Sequence, residues 1–349
     1  MTLLGLMIAL SAIAASTMGQ TYVVFDAVPG AATTPTSINS AGYISGVVQI
    51  GGMTPMTRAF LRDPGGNIIL YDVPNSNRTF GGSINASGQI SGEFTVSGQG
   101  FQTHGFLRDP DGTITLFDPP NSSDTFVGIL NNHGQVVGSF TDTSQGNQNR
   151  AYIRGADGVF TVFDVPPCTS AVAASINDAG EVSGTCIEPG ANGLPGTTAH
   201  DHGFSRDADG NVTLFDPPAS LGTEVYGMNA SGQIVGYFFQ QGGPNNTFTI
   251  RGFLRDQDGN FTIFDVPNSA VPSPRGINNA GVVMGNFDDS SQGGRQRGFV
   301  RDSSGNITAF DAPQATNTNP TAMNNSGVIV GGFSISGQAS RGFIRIPAE

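Results

Sequence analysis

A Phe-Asp step recurs along the chain at Phe25, Phe117, Phe163, Phe215, Phe264 and Phe310, and Tyr71 replaces Phe in the remaining copy. Successive steps lie 46, 46, 46, 52, 49 and 46 residues apart. Between them run, in fixed order, Ile-Asn-x-x-Gly, a short apolar run ending in Gly, and Arg-Gly-Phe-x-Arg-Asp. A period of this size marks one supersecondary unit per copy, too small to bury its own apolar face and so packed against its neighbours. Residues 21–349 therefore read as one domain rather than the two that a length of 349 residues suggests.

Each copy contains four strand-like segments rich in β-branched and aromatic residues, and no helical period follows residue 20. The first segment ends in Ile-Asn, the second follows the turn glycine, the third is Arg-Gly-Phe-Leu-Arg and the fourth is Ile-Thr-Leu-Phe-Asp. Asn85-Ala86-Ser87-Gly88 and Asp109-Pro110-Asp111-Gly112 have an acceptor side chain first and glycine fourth, as a type I turn with a left-handed last residue requires. Four antiparallel strands per copy predict an all-β, seven-bladed β-propeller. The last copy stops after its third strand, whereas Thr21 to Asp26 reads as a fourth strand with no blade before it. The N-terminal strand, residues 21–26, is thus expected to complete the C-terminal blade and close the ring. A β-solenoid or two smaller sandwiches are the alternatives.

The hairpin through Asp109 and Gly112 sets a register that puts His104 opposite Asp118. The same spacing pairs Arg58 with Asp72, Arg150 with Asp164, His202 with Asp216, Arg251 with Asp265 and Arg297 with Asp311, and ring closure pairs Arg341 with Asp26. Opposite charges across strands contribute about 0.2–1 kcal/mol each. His104 and His202 thus fill a slot held elsewhere by Arg, which favours a structural role for them. Of the 24 Phe, 17 occupy three repeated slots, so they are assigned to core packing and not to ligand stacking.

Composition narrows the partners. A formal charge of −12 argues against nucleic acid and anionic membranes. The chain has no lysine, which excludes lysine Schiff-base chemistry and a P-loop. Residues 1–20 lie outside the repeat. Their apolar stretch, residues 3–15, is too short to span a bilayer, and small residues follow it, so they read as a signal peptide despite the missing basic start; a buried or disordered extension is the alternative. Export would place the protein in an extracellular or periplasmic compartment, with no membrane span after signal cleavage and a monomer as the expected state. Cys168 and Cys186 bracket one Ile-Asn hairpin, which favours a disulfide over a free buried pair.

Arg58-Ala59-Phe60-Leu61, His104-Gly105-Phe106-Leu107 and Arg297-Gly298-Phe299-Val300, together with Ile277-Asn278-Asn279-Ala280-Gly281-Val282-Val283-Met284-Gly285, resemble the HAF-type extracellular repeat family. Its copies read His-Ala-Phe-Leu-Trp, a turn, and an Ile-Asn-x-x-Gly-x-Val-Val-Gly hairpin. The resemblance spans residues 21–349 and implies an exported repeat protein without transferring a catalytic residue. Arg62 and Arg108 stand where that family carries Trp, which this chain lacks entirely. Thr113-Ile114-Thr115-Leu116-Phe117 is also similar to a strand of streptogramin B lyase, a seven-bladed propeller.

Variation between copies concentrates at 49–57, 186–201, 239–250 and 288–296, which makes the loops of one face the expected binding surface. The 52-residue copy gathers Glu188, His200, Asp201 and His202 there. His200-x-His202 has the spacing of two metal ligands on one strand face, for a divalent ion such as zinc or calcium, although no cofactor is required by the fold. Glu224, Asp288, Asp289 and Asp124 could add an acidic rim. The Asp-x-Asp-Gly repeats, as at Asp109, read as turns because the longer ligand set of a calcium loop is absent. Nucleophile-elbow, zincin and haem-attachment motifs are also absent. These features favour a secreted recognition or scaffold module for an extracellular glycan or protein. Two further readings stay open: a metal-assisted lyase or hydrolase at the channel mouth, and an adhesive structural protein without a pocket.

Overall fold

The computed structural model describes residues 13–17, 19–51, 56–96, 98, 102–190, 199–242 and 248–348. It is all-β: among these residues the only helical segments are two 3₁₀ turns, Thr143–Gln145 and Ser290–Gln292. The chain divides into two compact units, residues 1–118 with 311–349, and residues 119–310.

The 119–310 unit contains four antiparallel four-stranded sheets, each formed by strands consecutive in sequence. The 122–163 sheet runs Ser122–Leu130, Val136–Asp142, Gln148–Arg154, Phe160–Phe163, and the 170–215 sheet runs Ser170–Ile176, Val182–Pro189, Ala199–Arg206, Val212–Phe215. The 220–264 sheet consists of Ser220–Met228, Ile234–Gln241, Phe248–Arg255 and Phe261–Phe264; the 269–310 sheet of Ser269–Ile277, Val283–Asp289, Arg295–Arg301 and Ile307–Phe310.

In the other unit, two meanders of the same kind, 32–71 and 76–117, share one sheet through a parallel bridge between Thr57 and Arg78. Its second sheet joins Asn317–Met323, Ile329–Ser334 and Arg341–Ile346 to the N-terminal strand Gln20–Phe25, with Phe25 opposite Gly342. Beyond that strand, Ile13–Thr17 pairs antiparallel as a fifth member, so part of the segment expected as a signal peptide lies against the sheet. Residues 1–12 of that segment lie outside the described residues.

Each Ile-Asn asparagine is buried. The Asn131 Oδ1 accepts from the amides of His133 and Gln135, closing its own turn, while Nδ2 donates 3.0 Å to the carbonyl of Asn177 in the next sheet. Asn229 repeats this toward Asn278, and in the other unit Asn324 donates to Asn39 and Asn39 to Asn85. The sequence identifies the turn; the bond to the next copy emerges only in three dimensions.

Apolar packing lies between neighbouring sheets. The fourth-strand Phe163 meets Phe204 of the next sheet edge to face at 6.1 Å, and Phe264 meets Phe299 at 6.4 Å. Such pairs add about 0.5–1.5 kcal/mol beyond area burial. The arginine that ends the third strand covers the same joint: Arg206 lies 5.1 Å over Phe163, Arg255 4.7 Å over Phe215 and Arg62 5.1 Å over Phe25. Within a sheet, the third-strand ring lies across the second-strand glycine. A Cβ on Gly236 would meet the Glu224 carbonyl and the Phe253 ring, and one on Gly285 the Ser273 carbonyl and the Phe299 ring.

The variable segments 49–57, 186–201, 239–250 and 288–296 all fall between the second and third strands of their copies. The fourth-to-first connections are repeated tight turns, with Ser76 N donating to Val73 O, Ser122 N to Pro119 O and Ser269 N to Val266 O. Their left-handed residues include Asn75, Asn121 and Asn268. The cause is the Phe-Asp-x-Pro step itself, since proline presets the turn.

Two of the second-to-third connections are alike. Asp142 caps the Thr143–Gln145 turn through the Ser144 amide and pairs with Arg150 at 3.1 Å, and Asp289 does the same with Ser291 and Arg297 at 2.9 Å. Hydrogen bonds from Ser144 and Ser291 first, and then the arginines, hold both carboxyls below the ordinary aspartate range.

Two stability results are expected. Gly236→Ala should cost about 2–4 kcal/mol in denaturant unfolding, because its Cβ meets backbone. Gly252→Ala should cost less, because its Cβ meets only the Phe264 ring and alanine already fills that slot at Ala59 and Ala151. Asp142→Asn and Asp289→Asn should each lower stability at neutral pH, since both lose the charge that their serine and arginine partners meet. A depressed carboxyl contributes stability above its unfolded value and loses it as pH falls through the folded value, so the gap to wild type should close in acid.

Candidate functional site

The third strand of the 170–215 sheet alternates its side chains, so His200 and His202 share one face and Asp201 takes the other. On the second strand Glu188 stands opposite His200 and Cys186 opposite His202, which places all four on the first face. Cys186 forms a disulfide with Cys168, Cα to Cα 5.8 Å, tying the second strand to the chain before the first.

His202 lies between two carboxylates, with Nδ1 2.6 Å from Asp216 Oδ2 and Nε2 3.1 Å from Glu188 Oε2. His200 stacks on it at 4.2 Å and brings Nε2 to 3.9 Å from Asp216 Oδ1. Asp216 Oδ1 also accepts from Thr223 Oγ1 at 2.6 Å. The two imidazoles are 12% and 14% exposed, which limits screening by solvent. Among the described residues, His200, His202 and Asp216 are the one group of three side chains whose donor atoms could hold a metal ion.

The other cross-strand charges are placed as follows. Arg58 lies 2.7 Å from Asp72, His104 2.9 Å from Asp118, Arg150 2.8 Å from Asp164, Arg251 2.7 Å from Asp265 and Arg341 2.8 Å from Asp26. In the copy of Arg297 the register runs to Gly298 opposite Phe310. Glu188 occupies the slot that Asp142 and Asp289 hold in their copies.

The expected acidic rim is not assembled. Asp289 is 2% exposed and committed to its turn and to Arg297, so it is a structural acid and not part of a rim. Asp288, one residue away, is exposed, and Asp124 is half-buried. Asp201 and Glu224 instead approach each other across neighbouring sheets. Burial, and next the negative charge of Asp201, push the Glu224 carboxyl up, while a Thr185 hydrogen bond opposes them.

Beside Glu224 lies a feature that the motifs of the sequence do not single out. Arg275 sits 4.9 Å over the Tyr226 ring; Tyr226 is 5.7 Å from Tyr237, Tyr237 5.7 Å from Phe239, and Phe239 6.0 Å from Phe248. Glu224 pairs across strands with Tyr237, so carboxyl and ring share a face. Burial first, then Tyr226 and Glu224, push the Tyr237 phenol up, keeping it a neutral donor. The strip ends at Phe248, 47% exposed, beside the variable connection whose residues 243–247 lie outside the described residues.

A signal for this strip was present in the sequence. Three residues before each Ile-Asn asparagine, five copies carry Thr36, Gly82, Gly128, Ala174 and Thr321, and only two carry Tyr226 and Arg275. The slot of Tyr237 holds Val47, Glu93, Ser139, Thr185, Asn286 and Gly332 elsewhere. Aromatic rings here are departures from the repeat and are not demanded by the fold.

No protein-family profile and no curated protein sequence matches the chain. The likeness to HAF-type repeats rests on its motif residues. Solved structures do match. The β-propeller domain of the Trilobed protease from Pyrococcus furiosus superposes with a TM-score of 0.64 at 9% identity, over 91% of this chain and 93% of that one. The polysaccharide lyase Uly1 superposes at 0.53 and 9% identity, over 88% of each chain. YCF48 bound to D1 peptide superposes at 0.53 and 10% identity, over 97% and 99%. At these identities the likeness establishes the fold alone: the chain is a β-propeller.

Proposed function

We propose that this protein is an exported, monomeric, seven-bladed β-propeller recognition module that takes an extracellular glycan along the strip from Arg275 to Phe248. The observation that carries the reading is the run of Tyr226, Tyr237, Phe239 and Phe248 beside Glu224 and Arg275. Sugar rings present C–H faces that pack on aromatic planes and hydroxyls that bond carboxylates, phenols and guanidinium groups, so this mixture matches their chemistry. The other copies fold without these rings, which makes ligand contact a better account of them than packing. The N-terminal strand paired with the last meander supports a ring closed by that strand. The disulfide supports an oxidising, extracellular or periplasmic location. No helix among the described residues is long and apolar enough to cross a membrane. That a polysaccharide lyase shares the fold agrees with a carbohydrate partner. A catalytic use of Glu224 and Tyr237 has no further observation in its favour.

The test is a screen of the purified protein against neutral and acidic polysaccharides by affinity electrophoresis, followed by calorimetry on the best ligand. Tyr237→Ala and Arg275→Ala are each expected to weaken binding at least about tenfold, a loss near 1.4 kcal/mol. Failure of the wild type to bind any glycan class, or equal binding by both variants, would sink the reading. A pH measurement addresses Glu224 directly. Its raised carboxyl means that its stability contribution is present below the ordinary glutamate range and lost as pH rises through the folded value. Glu224→Gln should therefore raise the thermal midpoint at neutral pH and lose that advantage as pH falls into the ordinary glutamate range.

A further inference from the structure

The cluster on the opposite face of the 170–215 sheet calls for a separate explanation. In the 122–163 and 269–310 sheets a third-strand arginine meets an acid at the end of the second strand, Asp142 for Arg150 and Asp289 for Arg297. Arginine is permanently protonated and cannot ligate a metal. The 170–215 sheet keeps the acids, as Glu188 and Asp216, and replaces the arginine by His202, which can. It then adds a second imidazole, His200, where the aligned positions hold Met56, Gln102, Gln148, Thr249, Arg295 and Ala339. A charge staple needs no second imidazole, since the other copies do without one.

We infer that His200, His202 and Asp216 form a binding site for a divalent transition-metal ion, with zinc the best fit. Their donor atoms lie within 4.8 Å of one another, and two imidazoles with one carboxylate form a borderline-soft set that suits zinc better than calcium. His202 is prepared for the role: with Nδ1 toward Asp216, its Nε2 lies 3.1 Å from Glu188. Glu188 then accepts the Nε2–H and holds the ring in the tautomer that leaves Nδ1 to the metal. The rings now stack at 10° between planes, so their lone pairs converge only after one ring turns about its Cβ–Cγ bond, a soft torsion. The disulfide at Cys186, directly opposite His202, fixes the strand that carries Glu188. Three protein ligands leave a fourth position for water or an incoming donor. This site lies on the face of the sheet opposite Asp201 and does not depend on the glycan reading.

The experiment uses the full, oxidised protein after removal of metals with a chelator. Zinc titrated by calorimetry is expected to bind with a stoichiometry of one and to raise the thermal midpoint by at least about 2 °C at saturation. Cobalt is expected to give the visible absorption of a four-coordinate site. His200→Ala should weaken zinc at least tenfold. His202→Arg restores the staple of the other copies, so it should keep the apo-protein midpoint while abolishing both zinc binding and the cobalt spectrum. Absence of zinc binding by the wild type, or unchanged affinity in His200→Ala and His202→Arg, overturns the site.

Discussion

The asparagine of each Ile-Asn turn is the interaction on which the rest of the architecture depends. At Asn39, Asn131, Asn229 and Asn324 its carboxamide uses the acceptor inward, on amides of its own turn, and the donor outward, on the carbonyl of the next asparagine. The carbonyl it reaches already accepts from its own turn glycine, as Asn177 O does from Gly180 N, so the carboxamide fills that oxygen's second acceptor position and ties one turn to the next. Aspartate would close the turn but set a carboxylate oxygen against a carbonyl, and serine would fall short of the next copy. One residue type thus fixes both the local turn and the spacing from sheet to sheet. With that spacing fixed, the fourth-strand aromatic of one copy reaches the third-strand aromatic of the next, and the arginine that ends the third strand has a ring to cover.

Much of this architecture was legible in the chain because local chemistry dictates it. The turn residues, the alternation along strands and the seven-fold recurrence each require only a few consecutive residues to interpret. The register that sets His202 beside Asp216 follows from one hairpin, since a shift of one residue would turn every side chain to the other face. Less legible were features that need a neighbour: the donor side of the asparagine, the guanidinium cover, and the glycines kept bare for a ring from the next strand. A sequence shows that Gly236 recurs but not that the Glu224 carbonyl presses on it. The fourth-to-first turns differ in residue from copy to copy, yet the proline holds them to one backbone path.

The candidate sites divide along the same line. His200 and His202 stood out because histidine is rare in this chain and their spacing is local. Asp289 misled because an acid in a variable segment looks solvated until its cap and its arginine are seen. The aromatic strip escaped because Tyr226, Tyr237, Phe239 and Phe248 lie on three strands and meet only once the sheet is folded. Position within the repeat, rather than residue type, separates them: a ring in a slot where other copies carry a small or polar residue is not there for the fold. In a repeat protein the copies thus serve as controls for one another, and function is to be sought in the exceptions.

The pairing of Gln20–Phe25 with Arg341–Ile346 bears on how the molecule is made. Arg341 and Asp26 are 315 residues apart, so the hydrogen bonds between them join segments from the two extremes of the chain. During synthesis every other meander can assemble from consecutive strands as it emerges, but this one must wait for the final residues. Until then the Gln20–Phe25 strand has no Arg341–Ile346 partner, a state that favours association with other chains. The Arg341–Ile346 strand thus covers, once it is made, an edge that the much earlier Gln20–Phe25 strand would otherwise present to other chains.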